Sequence, residues 1–284
     1  MDTIKQIINR FRLTSKKSLG QNYILDQNIT NKITKLIEIK NELVLEIGPG
    51  PGCLTRSLLD KGAKKIIAVE KDQRCINALE YQKKYFLKKL IIVKGDCLKK
   101  DVFNKIKKEI IKYKQKVIVV SNLPYNSAIP ILSLLLKNRK FFSKLLLMFQ
   151  EEQANRIIAK KKTKNYGRIS ILGQWLCKIE KKIKLSPNCF FPRPKINSTI
   201  LFFNFKKKIK KLSNENMFYE IIKKSFNQRR KTMKNCLKFE NIDIEKILIK
   251  NNIRPNLRPE ELDYNDFANL SNSISNLKKN KLFF

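Results

Sequence analysis

Short, continuous apolar runs recur along the first two thirds of the chain and predict the strands of a buried sheet. Helical stretches separate the runs, which cover residues 43–47, 66–69, 90–93, 117–120 and 144–149. Each run is too short and too continuous for a strand with one exposed face. Such runs suit parallel strands that are buried on both faces. Strands alternating with helices therefore predict an α/β fold with a doubly wound, Rossmann-like parallel sheet.

The pattern changes towards the carboxyl terminus. Two further strands are predicted at 183–185 and 198–205, on either side of a loop at 186–197 that is rich in proline and aromatic residues. Beyond residue 205 the chain becomes lysine-rich and then shows helical periodicity. We therefore expect a larger α/β domain over residues 1–205 and a small helical domain over residues 206–284.

One predicted strand end has the chemistry to handle an exocyclic amine of a nucleobase. Asn122-Leu123-Pro124-Tyr125 follows the apolar run 117–120 directly. The Asn122 side-chain carbonyl and the Leu123 backbone carbonyl can each accept one N–H, which aims the nitrogen lone pair at an electrophile. Pro124 holds Leu123 in an extended conformation, and Tyr125 offers a ring for stacking. A plain turn after a strand is the alternative interpretation, because Asn-x-Pro is common in turns.

Three more predicted strand ends carry residues that suit a nucleoside ligand. A G-x-G-x-G turn begins at Gly48, and it differs from both the dinucleotide fingerprint and the phosphate loop. Glu70 follows the next predicted strand. In nucleotide-binding folds, an acidic residue about 20 positions after the glycine turn accepts hydrogen bonds from the ribose hydroxyls. Asp96 could accept from an adenine amino group, although either carboxylate also fits a solvated loop. An acidic lining suits a cationic sulfonium better than a pyrophosphate, which favours S-adenosylmethionine over NAD.

Composition narrows the chemistry further. The formal net charge of +38, from 62 Lys+Arg against 24 Asp+Glu, favours a polyanionic partner such as nucleic acid. Lys, Ile and Asn are abundant together, so an AT-rich genome also accounts for part of the lysine surplus. The chain has no His, which excludes His-based nucleophile activation and His metal sites. Its 6 Cys include no C-x-x-C pair, so we expect reduced thiols and no metal.

The predicted environment is cytoplasmic. No apolar stretch approaches the roughly 18 residues that a membrane span needs, so we expect no membrane contact. The basic start, residues 1–12, lacks the apolar centre of a secretory signal. It weakly resembles an organelle transit peptide, but a short disordered lead-in is the preferred interpretation. We also expect a monomer.

Taken in order, these motifs resemble those of the small-subunit ribosomal RNA adenine dimethyltransferases, and the resemblance covers nearly the whole chain. The matching segments are residues 17–24, 45–55, 69–72, 95–96, 122–125, 148–156, 166–170, 190–198 and 226–232. The departures are Tyr23 for Phe, Ile24 for Leu, Ile196 for Val and an altered stretch at 126–130. None removes a side chain that the chemistry needs.

The resemblance implies an activity and roles for particular residues. It implies transfer of methyl groups from S-adenosylmethionine to N6 of two adjacent adenosines, in a hairpin near the 3′ end of small-subunit rRNA. Asn22 and the backbone at Ile24 would join Gly48, Glu70, Asp96 and Asn122 in binding the cofactor. Phe190 and Tyr125 would hold the two faces of the target adenine. The helical domain would bind RNA.

Basic residues near the later motifs are candidate contacts to RNA phosphates, although a solvated basic surface explains any one of them equally well. These candidates are Arg156, Arg168, Arg229, Arg230 and Lys231.

Three alternatives share parts of this pattern. A resistance-type methyltransferase of large-subunit RNA has the same fold and chemistry, but Leu123 and the Arg-Arg-Lys segment favour the small-subunit branch. An adenine-N6 DNA methyltransferase more often carries Pro at position 123. In a non-catalytic relative, such as a mitochondrial transcription factor, no chemistry would require the residue types at Asn22, Glu70, Asp96 and Asn122 to be kept. The presence of all four favours a working enzyme.

Overall fold

The computed structural model describes residues 1–14, 20–228 and 230–280 and divides into two compact units. The first unit comprises Met1–Ala154 and Ile179–Phe205. The second comprises Asn155–Lys178 and Lys206–Phe284. The second unit thus takes in an earlier stretch of chain as well as the carboxyl-terminal part.

A seven-stranded, mainly parallel sheet forms the first unit. The strands of the whole structure are β1 Tyr23–Ile24, β2 Leu43–Ile47, β3 Lys65–Glu70, β4 Leu90–Lys94, β5 Val117–Asn122, β6 Phe142–Gln150, β7 Cys177–Leu185, β8 Phe190–Phe191 and β9 Ser198–Phe205. Their order in the large sheet is β4-β3-β2-β5-β6-β9-β7. Strands β2 to β6 pair in parallel, and β9 is antiparallel to β6. The prediction of a doubly wound α/β fold is confirmed.

The helices lie between these strands and in the second unit. They are α1 Ile4–Arg10, α2 Gln27–Thr34, α3 Cys53–Asp60, α4 Gln73–Lys83, α5 Lys100–Lys112, α6 Ala128–Lys137, α7 Glu151–Ile157, α8 Arg168–Leu176, α9 Glu215–Asn227, α10 Met233–Cys236, α11 Ile244–Lys250 and α12 Tyr264–Asn280. Among the residues that the structure describes, no helix is long and apolar enough to cross a membrane.

The strand order brings the predicted ligand-binding ends to one edge of the sheet. β2 pairs with β3 on one side and with β5 on the other, so the direction of winding reverses between β2 and β5. In open α/β sheets, ligands bind at the carboxyl ends of the strands beside such a reversal. The glycine turn follows β2, and Asn122 is the last residue of β5.

Strand β7 is longer than the sequence indicates. Its nine residues begin at Cys177, whereas only 183–185 was expected, because most of the strand is polar and charged. It lies at the end of the strand order, next to β9. An edge strand needs no continuous apolar run, and charged side chains there oppose edge-to-edge association.

The expectation of a disordered amino-terminal lead-in is wrong, because residues 4–10 form a helix. Helix α1 begins after Thr3, whose hydroxyl and backbone form a capping box with Gln6. Ile7 and Leu13 are buried against Tyr23 and neighbouring residues of α4. This apolar packing gives the short helix a stability that its length alone would not provide.

The second unit consists of helices. α9 contacts α8, α10 and α12, and α11 packs on α12. Asn214 caps α9 by accepting from the backbone of Asn216 and Met217. Trp175 of α8 packs on Phe218 of α9 with ring centroids 4.5 Å apart. This aromatic contact shows why the segment containing α8 belongs to the helical unit.

Candidate active site

An open cleft lies at the carboxyl edge of the parallel strands, where ligands bind in open α/β sheets. Most of the residues that were predicted to bind the cofactor or the target base line this cleft. They are Asn22, Ile24, Gly48, Glu70, Asp96, Asn122, Leu123 and Pro124. Tyr125 and Phe190 lie outside this lining. The fold therefore brings together residues up to a hundred positions apart in the chain, such as Asn22 and Asn122.

The glycine turn packs directly against Asn122-Leu123-Pro124-Tyr125, a tetrad that begins at the last residue of β5. Gly48 has φ +71°, and a Cβ built on it would stand 3.3 Å from the ring carbons of Pro124. At Gly50, with φ +56°, a Cβ would stand 2.7 Å from the ring of Tyr23. Glycine is required at both positions by backbone conformation and by crowding. The turn therefore sets the position of the tetrad as well as admitting a ligand.

Glu70 is held by the backbone around it. Its Oε2 accepts from Gly50 N at 3.1 Å, and its Oε1 accepts from Lys71 N at 2.8 Å and Asp72 N at 2.9 Å. Burial raises the pKa of Glu70, while these backbone hydrogen bonds act in the opposite direction. Since each carboxylate oxygen can accept two hydrogen bonds, Oε2 retains capacity for a ligand hydroxyl.

Asp96 stands at the end of the next strand, β4, in a more exposed position. Its Oδ1 accepts from Leu98 N at 2.9 Å, and Lys71 Nζ lies 3.8 Å from its Oδ2. Its side chain is one third exposed, as is that of Lys71. These contacts fix the carboxylate at the cleft without burying it.

Glu46 is a cleft residue to which the sequence prediction gave no role. It lies within β2, is buried, and accepts a hydrogen bond from Thr55 Oγ1 at 2.6 Å. Burial raises the pKa of Glu46 to about 8. The signal in the sequence is a carboxylate inside an otherwise apolar run. A carboxyl group is costly to bury unless it is hydrogen-bonded, as Glu46 is to Thr55.

Asn122 is oriented by a contact with the amino-terminal motif. Its Nδ2 donates to the backbone carbonyl of Asn22 at 2.8 Å. Because the amide nitrogen is committed to that carbonyl, Oδ1 is the atom turned away from it and suited to accept from a ligand amine. Leu123 is buried, and its side chain anchors the residue whose carbonyl was predicted to accept the second N–H.

Tyr125 is anchored at both its backbone and its side chain. Its hydroxyl lies 2.6 Å from Ser198 Oγ, and its backbone carbonyl accepts from Gln153 Nε2 at 3.0 Å. The ring is buried, and burial raises the pKa of the Tyr125 hydroxyl. Neither Ser198 nor Gln153 was assigned a role from the sequence. Both partners come from distant elements, so spacing could not identify them.

Phe190 is also buried, and the following residue is the exposed one. Phe190 pairs with Ile24 across β1 and β8 and belongs to the main apolar core. Phe191, next in the chain, pairs with Tyr23 and is 49 % exposed. The stacking role predicted for Phe190 stays a prediction, and it requires the ring to become accessible to a base.

Two departures from the family pattern have structural consequences. The hydroxyl of Tyr23, where the motif has Phe, lies 3.4 Å from Cys75 Sγ, so the added oxygen is partnered. In the altered stretch, Ser127 lines the cleft and its backbone N–H donates to the Pro124 carbonyl at 3.0 Å. Helix α6 begins at the next residue, and its Ile131 also lines the cleft.

The candidate RNA contacts belong to the second unit. Arg156, Arg168, Arg230 and Lys231 are exposed, and Arg229 lies outside the described residues. Among the described residues, no group of three or more Cys, Asp or Glu side chains could hold a metal ion.

Comparison with known proteins identifies the family. A family model described as Ribosomal RNA adenine dimethylase matches residues 12–276. A relative from Mycoplasma mobile, named Ribosomal RNA small subunit methyltransferase A, is 40% identical over 88% of this chain and 94% of its own. One of the same name from Clostridium botulinum is 37% identical over 95% and 98%.

Among solved structures, a dimethyladenosine transferase from Plasmodium falciparum superposes with a TM-score of 0.73. It is 28% identical and covers 90% of this chain and 97% of its own. These matches confirm the resemblance that the motifs indicated. The chain belongs to the ribosomal RNA adenine dimethylase family.

Proposed function

We propose that this protein transfers methyl groups from S-adenosylmethionine to N6 of two adjacent adenosines, in a hairpin near the 3′ end of small-subunit rRNA. Each target would become N6,N6-dimethyladenosine during assembly of the small ribosomal subunit. The observation that carries the proposal is a single cleft lined by Glu70, Asp96, the glycine turn and the oriented amide of Asn122.

The spatial order of these groups supports S-adenosylmethionine as the cofactor. Across the sheet edge, strands β4, β3, β2 and β5 present Asp96, Glu70, the glycine turn and Asn122 in turn. An adenine on Asp96 and a ribose on Glu70 would direct the rest of the cofactor past Gly48 towards Asn122. The order of the protein groups thus follows the order of the cofactor's parts.

The charge of the lining fits the same cofactor. Among the described residues that line it, Glu70 and Asp96 against the single Lys71 give this cleft more carboxylates than cations, although the chain as a whole is strongly basic. A local excess of carboxylates favours a cationic ligand. Bound S-adenosylmethionine would supply an electrophilic methyl group on a positively charged sulfur.

The tetrad would act mainly by positioning the target amine. Asn122 Oδ1 and the Leu123 carbonyl would accept the two N–H groups, so the nitrogen lone pair faces the methyl carbon. Bound S-adenosylmethionine would supply the methyl group, so that an N–C bond would form as the C–S bond breaks and the bonding electron pair would stay on sulfur. The methylated ammonium then loses its proton to water, so a His-free site suffices. The target adenosine would leave its stack to enter the cleft, with Tyr125 and Phe190 against its faces.

The relatives favour small-subunit RNA as the substrate. Those cited above at 37% and 40% identity are both named for the small ribosomal subunit. We propose that residues 1–205 bind cofactor and carry out transfer, and that residues 206–284 bind RNA. The exposed cations Arg230 and Lys231 support RNA binding by the helical unit.

A labelling experiment tests the proposal. Purified protein is incubated with labelled S-adenosylmethionine and with small-subunit particles, large-subunit particles or duplex DNA from cells that lack the protein. Label is expected on two adjacent adenosines of small-subunit rRNA, located by mass mapping of RNA fragments. Label on large-subunit RNA or on DNA instead would refute the substrate assignment.

A further inference from the structure

A loop that begins at Phe191, the last residue of β8, carries an exposed aromatic ring beside the cofactor cleft. We call residues 191–197 the rim loop. Phe191 pairs with Tyr23 across β8 and β1, and both Tyr23 and its neighbour Ile24 line the cleft. The pairing places the Phe191 backbone beside the cleft wall, while 49 % of the residue remains exposed. A large aromatic side chain left this open beside the cleft is accessible to a ligand, and covering its ring on binding would be favourable.

The rim loop also has the charge that a nucleic acid requires. Arg193 and Lys195 are exposed, and Ile196 is 40 % exposed beside them. The sequence from residue 181 to residue 214 contains no Asp or Glu, so the surroundings of these cations in the chain are uniformly basic or neutral. Exposed aromatics interleaved with cations are the usual surface for single-stranded nucleic acid.

Several contacts hold the rim loop in a defined conformation. The Asn197 carbonyl accepts from Glu151 N at 3.0 Å, and Asn197 Nδ2 donates to Glu151 Oε2 at 3.3 Å. Lys184 Nζ lies 2.8 Å from Glu151 Oε1, which fixes that carboxylate in turn. Pro192 and Pro194 restrict the backbone between these anchors. A surface ordered before binding loses less conformational entropy when a ligand docks.

We propose that Phe191 stacks on a base of the RNA next to the target adenosine, while Arg193 and Lys195 contact the RNA backbone. This inference rests on the proposed function. It gives Phe191 a different task from Phe190, which is buried in the core and is assigned to the target base itself. An unpaired nucleotide held at the rim would fix the RNA while its neighbour occupies the cleft.

Variants at position 191 test the ring directly. Phe191→Ala is compared with Phe191→Leu, which keeps an apolar side chain, and with Phe191→Trp, which keeps an aromatic ring. Tyr85→Ala is the matched control, because Tyr85 is also an exposed aromatic residue, at 40 %. It precedes β4 and therefore lies towards the amino ends of the parallel strands, whereas the cleft lies at their carboxyl ends. Thermal unfolding of each variant confirms that it is folded.

The readouts are RNA affinity and base fluorescence. A protein-free hairpin fragment of the small-subunit rRNA carries 2-aminopurine at each position flanking the target in turn. Phe191→Ala is expected to weaken binding about 5- to 150-fold, the range for loss of one base–aromatic stack, and to abolish quenching at one flanking position. Phe191→Trp should restore both, whereas Phe191→Leu should not. KM for S-adenosylmethionine should stay unchanged.

Distinct outcomes would overturn the inference. The inference is wrong if Phe191→Ala leaves RNA affinity and fluorescence quenching unchanged. It is also wrong if Phe191→Leu restores both as well as Phe191→Trp does. An effect seen only with intact particles and never with the naked hairpin would indicate a protein partner and refute RNA stacking. If wild-type protein binds and quenches the hairpin but methylates no adenosine in small-subunit particles, the proposed function fails while the stacking contact stands.

Discussion

Substituting Gly48 by Ala separates the two roles of the glycine turn. The new Cβ would be placed at φ +71° and 3.3 Å from the ring carbons of Pro124. A non-glycine residue in this region loses about 1–2 kcal/mol of stability. For a domain of this size, that corresponds to a fall in Tm of roughly 2–8 °C. Pro124 would also have to shift by a few tenths of an ångström, and Asn122 and Leu123 would move with it.

The effect on catalysis follows from the effect on position. A misplacement of about 1 Å can lower a rate about a hundredfold, so a shift of a few tenths of an ångström should lower kcat about tenfold. The measurement is kcat for methylation of small-subunit particles at saturating S-adenosylmethionine, alongside thermal unfolding. At saturating S-adenosylmethionine, a weaker affinity for the cofactor no longer lowers the rate, so a lower kcat reports displacement of the tetrad.

Gly62→Ala is the matched control. Gly62 has φ +89°, and the nearest atoms that a Cβ there would meet all belong to Lys40, with the flexible side chain's Cγ closest at 3.4 Å. Its loss of stability should match that of Gly48→Ala, but kcat should stay near the wild-type value. Equal kcat in the two variants would refute the conclusion that the glycine turn positions the tetrad.

Three further outcomes are expected. Asn122→Ala should lose about a hundredfold or more in kcat, the range for one lost transition-state contact, and a near-normal rate would contradict its role. Burial raises the pKa of Glu46 to about 8 from an ordinary value of 4.5, so Glu46 stays protonated to a higher pH in the folded state than in the unfolded state. Its contribution to stability is therefore complete below about pH 4.5 and is lost as pH rises towards 8, so Glu46→Gln should flatten stability over that interval in chemical denaturation. RNA affinity should fall steeply with salt, and affinity unaffected between 50 and about 200 mM salt would count against binding through Arg230 and Lys231.

Much of the first unit could be predicted because local sequence and topology agree there. The apolar runs mark strands β2 to β6 since parallel strands are buried on both faces and tolerate few polar residues. Once the fold is known to be doubly wound, the residues after these strands must meet at one edge. That rule explains why Gly48, Glu70, Asp96 and Asn122 were identified together.

Other features escaped because their signals are not local. Strand β7 is a charged edge strand, so its extent depends on β9 rather than on its own apolar pattern. Helix α1 owes its order to the burial of Ile7 and Leu13. Ser198 and Gln153 act on Tyr125 from distant segments, and spacing along the chain carries no trace of such contacts.

The sequence by itself determined the fold class, the family and the set of residues at the strand ends, because these follow from periodicity and from ordered motifs. Only the tertiary structure decided how the residues are presented. A hydrogen bond to the Asn22 carbonyl orients the Asn122 side chain. In strand β8, Phe190 is buried whereas Phe191 is exposed. The physical reason is that side-chain orientation and exposure depend on contacts between segments far apart in the chain, which local patterns do not encode.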